Sequence, residues 1–178
     1  MKAPLFVSSL LLAAATITGT AQAVPTGNMQ ITGEIEGGTC HLDPGDVTRT
    51  IELPPVKVSD FESSTPVGLK DFDLTANCDS DIRNVTFTFE GTPDPWAPTN
   101  FANEGGTAVG VATVIQSRIG GTASTIPANG DPAARSRTVP TTAGRAVIPM
   151  AAHYRKTLIS NGGKGTLLTL ASVTITYN

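Results

Sequence analysis

Gly165-Thr166-Leu167-Leu168-Thr169-Leu170-Ala171-Ser172-Val173-Thr174-Ile175-Thr176-Tyr177 is the stretch that decides the fold. Leu167, Thr169, Ala171, Val173, Ile175 and Tyr177 fall on one face at a period of two, and the later residues between them are mostly polar. That is the signature of a strand with one side on a core, and a helix would scatter the same residues around its axis. Working back along the chain, Val85, Phe87 and Phe89 alternate with Thr86, Thr88 and Glu90 until Gly91-Thr92-Pro93 ends the run. Phe72 and Leu74 alternate ahead of Cys78, and Ala108 to Val111 with Val114-Ile115 reads as a more buried strand. Val147 to Tyr154 reads as another, with Pro149 suggesting an edge or a bulge because proline removes a ladder donor. Asp43-Pro44-Gly45-Asp46 and Ser160-Asn161-Gly162-Gly163 are turn clusters between such runs.

Two stretches, residues 92–107 and 120–144, lack periodicity and are rich in Pro, Gly and Thr. They read as loops or weak strands on one domain, since neither flank is large enough to fold alone. No helical period appears outside the first residues. About six to eight short strands in a chain of this length indicate a β-sandwich. The composition agrees. With 15% charged and 39% apolar residues the chain is no disordered polyampholyte, and a net charge of -3 leaves no electrostatic footprint for nucleic acid.

Met1-Lys2, the apolar run from Leu5 to Ala15 and the small-x-small pattern Ala21-Gln22-Ala23 read as a secretory signal peptide over residues 1–23. The apolar run is too short to span the bilayer, so the exported chain of about 155 residues is expected not to span a membrane and to be one domain. Export makes a disulfide between Cys40 and Cys78, the only two cysteines, the expected state. Closing its loop is worth roughly 4 kcal/mol in the chain-entropy model. A metal site would need further ligands, and His41 and His153 stand at no recognised spacing.

Beyond the cleavage site the chain alternates again, with Pro25, Gly27, Met29, Ile31 and Gly33 on one face. Chain termini are usually disordered, so strand periodicity here has two readings. It is the first strand of this sandwich, or it is a strand meant for another sheet.

Taken in order, several fragments resemble the chaperone–usher pilins, the subunits of bacterial type 1-like fimbriae. They are Gly33-Glu34-Ile35 ahead of Cys40, Leu53-Pro54, Phe72-x-Leu74 approaching Cys78, Phe87-x-Phe89-x-Gly91, Val109-Gly110-Val111 and Ala152-x-Tyr154. The C-terminus adds a penultimate Tyr177 and a glycine, Gly165, in the position the family reserves for one. The resemblance implies an incomplete immunoglobulin-like β-sandwich of six or more strands, lacking its last strand and completed by a donor strand from a neighbouring subunit. It divides the chain into a signal peptide, a donor-strand extension over 24–34 and a pilin domain over 35–178. Pro25, Gly27, Met29, Ile31 and Gly33 would enter the neighbour's groove. Gly165, Thr169, Ala171, Val173, Ile175 and Tyr177 would form the C-terminal strand at the groove edge, where a chaperone strand binds first and the next subunit's extension replaces it. Those partners are a periplasmic chaperone, an outer-membrane usher and other pilin subunits, with no cofactor, and the destination is the cell surface. Pro25 departs from the family's habit of a free amide in the extension.

An enzyme is the first rival reading, and no nucleophile elbow, phosphate-binding loop or zinc-protease motif supports it. Asp71 with Asp73 and Asp79 with Asp81 read as solvated turn residues and not as a catalytic pair. The second rival is a minor or accessory subunit with a lectin-like, receptor-binding loop surface, for which Trp96 is the candidate aromatic. Asn84-Val85-Thr86 is a sequon that reads as strand entry, and Arg155-Lys156 reads as a polar turn or a chaperone contact.

Overall fold

The alternation at Val85, Phe87 and Phe89 places three side chains at 0%, 0% and 2% exposure, the centre of the core in the computed structural model. The structure describes residues 29–62, 66–157 and 163–178, so the signal peptide, Pro25 and Gly27 lie outside the described residues. The chain divides into two compact units, Met1–Ile35 and Glu36–Asn178. In the first, described residues 29–35 form no strand. The second is a β-sandwich.

Among the described residues eight strands build that sandwich: β1 Cys40–Leu42, β2 Val67–Cys78, β3 Asn84–Gly91, β4 Val111–Ser117, β5 Ser124–Ile126, β6 Ser136–Pro140, β7 Arg145–Lys156 and β8 Ala171–Tyr177. All pairs are antiparallel, in a five-stranded sheet ordered β1-β2-β7-β4-β5 and a three-stranded sheet ordered β6-β3-β8. The core between them holds Leu74 and Ala76 of β2, Ile115 of β4, Ile148 and Met150 of β7, and Val139 of β6. The Cys40–Cys78 disulfide joins residues directly opposite in β1 and β2, with Cα atoms 4.1 Å apart.

Side chains hold the stretch after β1. Asp43 caps the one-turn helix Pro44–Val47 by accepting from the Gly45 amide, and that bond, aided by the Asn77 amide, holds its carboxyl below the usual carboxylate range. Asp46 accepts from the Thr75 amide at 2.8 Å, and Arg49 donates to the Asp73 carbonyl at 2.6 Å while pairing with Asp46. Residues 43–49 are thus pinned to β2 chiefly by carboxylates and a guanidinium.

Three expectations change. The buried strand expected from Ala108 begins at Val111, because Gly110 takes a left-handed φ of 69° and Val109 is 60% exposed. Pro149 lies in neither an edge nor a bulge: β7 is flanked by both β2 and β4. The sheet tolerates it because β4 ends at Ser117. The Pro149 carbonyl accepts from the Arg118 amide, so its missing N–H faces Arg118, whose own carbonyl is taken by the Gly121 amide at 3.0 Å. The two aperiodic stretches are also less superficial than expected. Residues 92–107 bury Phe101 completely, bridged to Thr113 on β4, and residues 120–144 supply β5, β6 and the buried Ile126, Ala128 and Val139. Arg137 ties the second stretch down, donating to Ser117 Oγ, Ser124 Oγ and the Thr125 carbonyl, and partial burial lowers its pKa from the ordinary guanidinium value.

Candidate functional site

The free edge of β8 is the feature of the sandwich that asks for a partner. Among the described residues β8 pairs with β3 alone, in continuous register from Val85↔Tyr177 to Gly91↔Ala171. Asn84 and Asn178 exchange both backbone hydrogen bonds, at 3.3 and 3.2 Å. Antiparallel pairs alternate between bonded and non-bonded, so Ser172, Thr174 and Thr176 direct their N–H and C=O at β3. Ala171, Val173, Ile175 and Tyr177 therefore direct theirs outward, and no backbone bond outside the ladder reaches them among the described residues.

The same parity sets the side chains. Val173 and Ile175 lean on the core but stay only partly buried, and Tyr177 is 42% exposed. The residues that aim apolar side chains at the core thus also aim their backbone groups at open space. Natural edges are guarded by charge, proline, bulges or shortness. β1 and β5 are three residues long, and β6 carries Arg137 and Pro140. The seven residues of β8 contain none of these guards.

β1, on the other sheet, comes within 8 Å of β8 between Cα atoms, yet no ladder joins them. The backbone amides of Asp43 and Asp79 donate to the carbonyls of Thr75 and Thr39, which places the outward backbone groups of β1 on Cys40 and Leu42. Leu42 is itself only partly buried against the core. The gap between these strands exposes Leu42, Val173 and Ile175 along a line of unpaired amides and carbonyls. An extended segment laid there could pair its backbone and bury alternate side chains.

Of the sequence-predicted edge residues, Ala171, Val173, Ile175 and Tyr177 lie on β8, while Gly165 and Thr169 precede it. A Cβ on Gly165 would sit 2.5 Å from the Ala108 amide nitrogen. The close approach serves a hydrogen-bonded clasp in which the Ala108 amide donates to the Thr166 carbonyl at 2.9 Å and Thr107 and Thr166 exchange side chain to backbone bonds. Thr169 Oγ1 bonds the Ala102 carbonyl and lies 2.7 Å from Thr113 Oγ1. These contacts deliver the chain into β8.

Of the predicted extension residues, Met29 and Ile31 are 87% and 86% exposed, and a Cβ added at Gly33 would meet nothing within 4 Å. In the second unit, Asp81 and Asp79 accept from the amides of Gly38 and Thr39, both at 2.8 Å. In the sequence these acids read as solvated turn residues; only the fold shows that they grip the start of the domain. Asp71 pairs with Arg118 at 3.4 Å. No group of three metal-ligating side chains occurs among the described residues, and none of their helices is long and apolar enough to cross a membrane.

A family model described as Fimbrial protein matches residues 29–178. The laminin-binding fimbrial subunit ElfA of Escherichia coli O157:H7 is 27% identical over 120 residues, covering 62% of this chain and 64% of that one. The fimbrial protein 987P of Escherichia coli is 26% identical over 144 residues, covering 75% and 72%. Among solved structures, the P pilus rod subunit PapA superposes with a TM-score of 0.60 at 18% identity, over 78% of this chain and 99% of that one. A subunit from the structure of a chaperone–usher pilus gives 0.60 at 20% identity, over 89% and 100%.

Proposed function

Because the chain belongs to the fimbrial protein family, we propose that it is a structural subunit of a chaperone–usher fimbrium, polymerised by donor-strand exchange to support adhesion at the cell surface. The observation that carries this reading is the unguarded β8 edge, where Ala171, Val173, Ile175 and Tyr177 turn unpaired backbone groups outward. In the periplasm a chaperone strand covers that edge. At the outer-membrane usher, the extension of the next subunit replaces it.

The energetics favour such a step. Each new main-chain bond contributes about 0.5–1.5 kcal/mol net. Met29 and Ile31, exposed in the described chain, would each add about 1.5–3 kcal/mol on full burial in a neighbour's groove. Gly27 enters where the groove floor comes closest, so a bulky residue there blocks insertion sterically. Pro25 has no amide to donate, and one ladder bond is missing at that end. Gly33 closes the paired segment.

The test is a chain lacking residues 24–32, expressed as the sole source of the subunit. It is expected to co-purify with its chaperone and to form no fibres by electron microscopy. Fibres of normal length from that variant would overturn the donor-strand role.

A further inference from the structure

Away from β8, the outer face of the five-stranded sheet holds an open cleft of about 350 Å³, at the small end of ligand-sized sites. Pairing of Val114 with His153, Ala112 with Arg155, and Gln116 with both Ala151 and Thr125 puts His153, Arg155, Gln116 and Thr125 on the face opposite Ile115 and the core. The Pro-rich loop closes one side with Asn100, and Thr157 lies at the end of β7.

The lining is unusual for the outside of a sheet. Asn100 and His153 are polar yet only 6% and 5% exposed. The His153 Nδ1–H donates to the Tyr154 carbonyl at 2.9 Å, since a carbonyl can only accept, and Nε2 makes no hydrogen bond among the described residues. The Thr157 hydroxyl is buried and has no hydrogen-bond partner among the described residues, a costly state that buried polar groups generally avoid. Arg155 makes no ion pair among the described residues, whereas the neighbouring Lys156 reaches Glu62 at 3.8 Å. Among the described residues no carboxylate lines the cleft. The nearby buried Asp94 is turned inward, accepting from the amides of Trp96 and Ala97.

Two amides, several hydroxyls, an imidazole and a guanidinium with no ion pair among the described residues, around a single-ring volume, suit a ligand rich in hydroxyls that carries one negative charge. We infer that this cleft binds a carboxylate-bearing sugar, such as a terminal sialic or uronic acid. Arg155 takes the carboxylate, and Asn100, Gln116, Thr125 and His153 take ring hydroxyls. The reading stands apart from the β8 edge and holds whether or not that edge accepts a strand.

The test is a calorimetric titration of the purified full chain with sialyllactose, lactose and acetate. Sialyllactose is expected to bind with a Kd of about 1 mM or tighter, and lactose and acetate at least about tenfold more weakly. Arg155→Gln, an exposed position, is expected to weaken sialyllactose by about tenfold or more, the scale of a charge-assisted hydrogen bond, with Arg155→Lys losing less. Thr125→Ala is expected to weaken it a few-fold. Equal binding of lactose and sialyllactose, binding insensitive to Arg155→Gln, or no saturable binding at about 10 mM would each overturn the inference.

Discussion

Two prolines one residue apart separate the edge from the ladder. Val173 turns its N–H outward, whereas Thr174 turns its N–H to Thr88 on β3. Val173→Pro removes a donor that makes no bond within the chain, and proline is tolerated on an edge strand when its nitrogen faces solvent. The β3–β8 ladder therefore survives. An incoming strand, however, finds one carbonyl without a donor, and the proline ring occupies its approach. An acceptor left unpaired costs about 1–3 kcal/mol, which corresponds to about five- to 140-fold in affinity. Thr174→Pro spends the same penalty inside the subunit, because the Thr88 carbonyl loses its partner. The assay titrates the purified subunit with a synthetic peptide of its own residues 24–35, and hydrogen exchange follows the amides of Thr86, Thr88 and Glu90. For Val173→Pro we expect peptide capture to fall by that factor with ladder protection unchanged. For Thr174→Pro we expect protection itself to fall. Wild-type capture by both variants would refute β8 as the acceptor edge. Equal loss of protection in both would refute the assigned register.

Replacing both cysteines by serine is expected to cost roughly 4 kcal/mol, read as a lower denaturant midpoint under oxidising conditions; an unchanged midpoint removes the disulfide's stabilising role. Gly165→Val forces a side chain against the Thr107–Ala108 backbone, where even a Cβ would lie 2.5 Å away. A loss of about 1–3 kcal/mol in thermal unfolding is expected, and none would show that the clasp gives way freely. Phe101→Ala empties a fully buried position and is expected to cost about 3–5 kcal/mol, whereas a surface-loop role would leave stability within about 0.5 kcal/mol.

Legibility from sequence followed local patterning. β3 and β8 could be read because most of their inward residues are large and apolar and the intervening ones are polar, Thr, Ser or Glu, so periodicity alone marked the faces. β5 and β6 were obscured because Ser124-Thr125-Ile126 and the segment near Arg137 are short and polar, and their inclusion depends on the Arg137 hydrogen bonds across the loop. Phe101 was invisible as a core residue: its neighbours are Asn, Ala and Gly-rich, and only the bridge to Thr113 carries it inward. Asp79 and Asp81 looked like ordinary turn acids since their partners, the Thr39 and Gly38 amides, are about 40 residues earlier.

The chain's own order of residues determined that it is a strand-built domain with a buried Phe stripe, a paired cysteine couple and a C-terminal strand facing a core. Those properties are local, since a side chain's face in a strand follows from counting by two. The tertiary structure alone decided that β8 has a neighbour on one side only among the described residues, and that the residues pointing inward also leave their backbone groups outward. Pairing partners come from distant segments and from the competition of every strand for an edge. No stretch of sequence states which edge will be left without one.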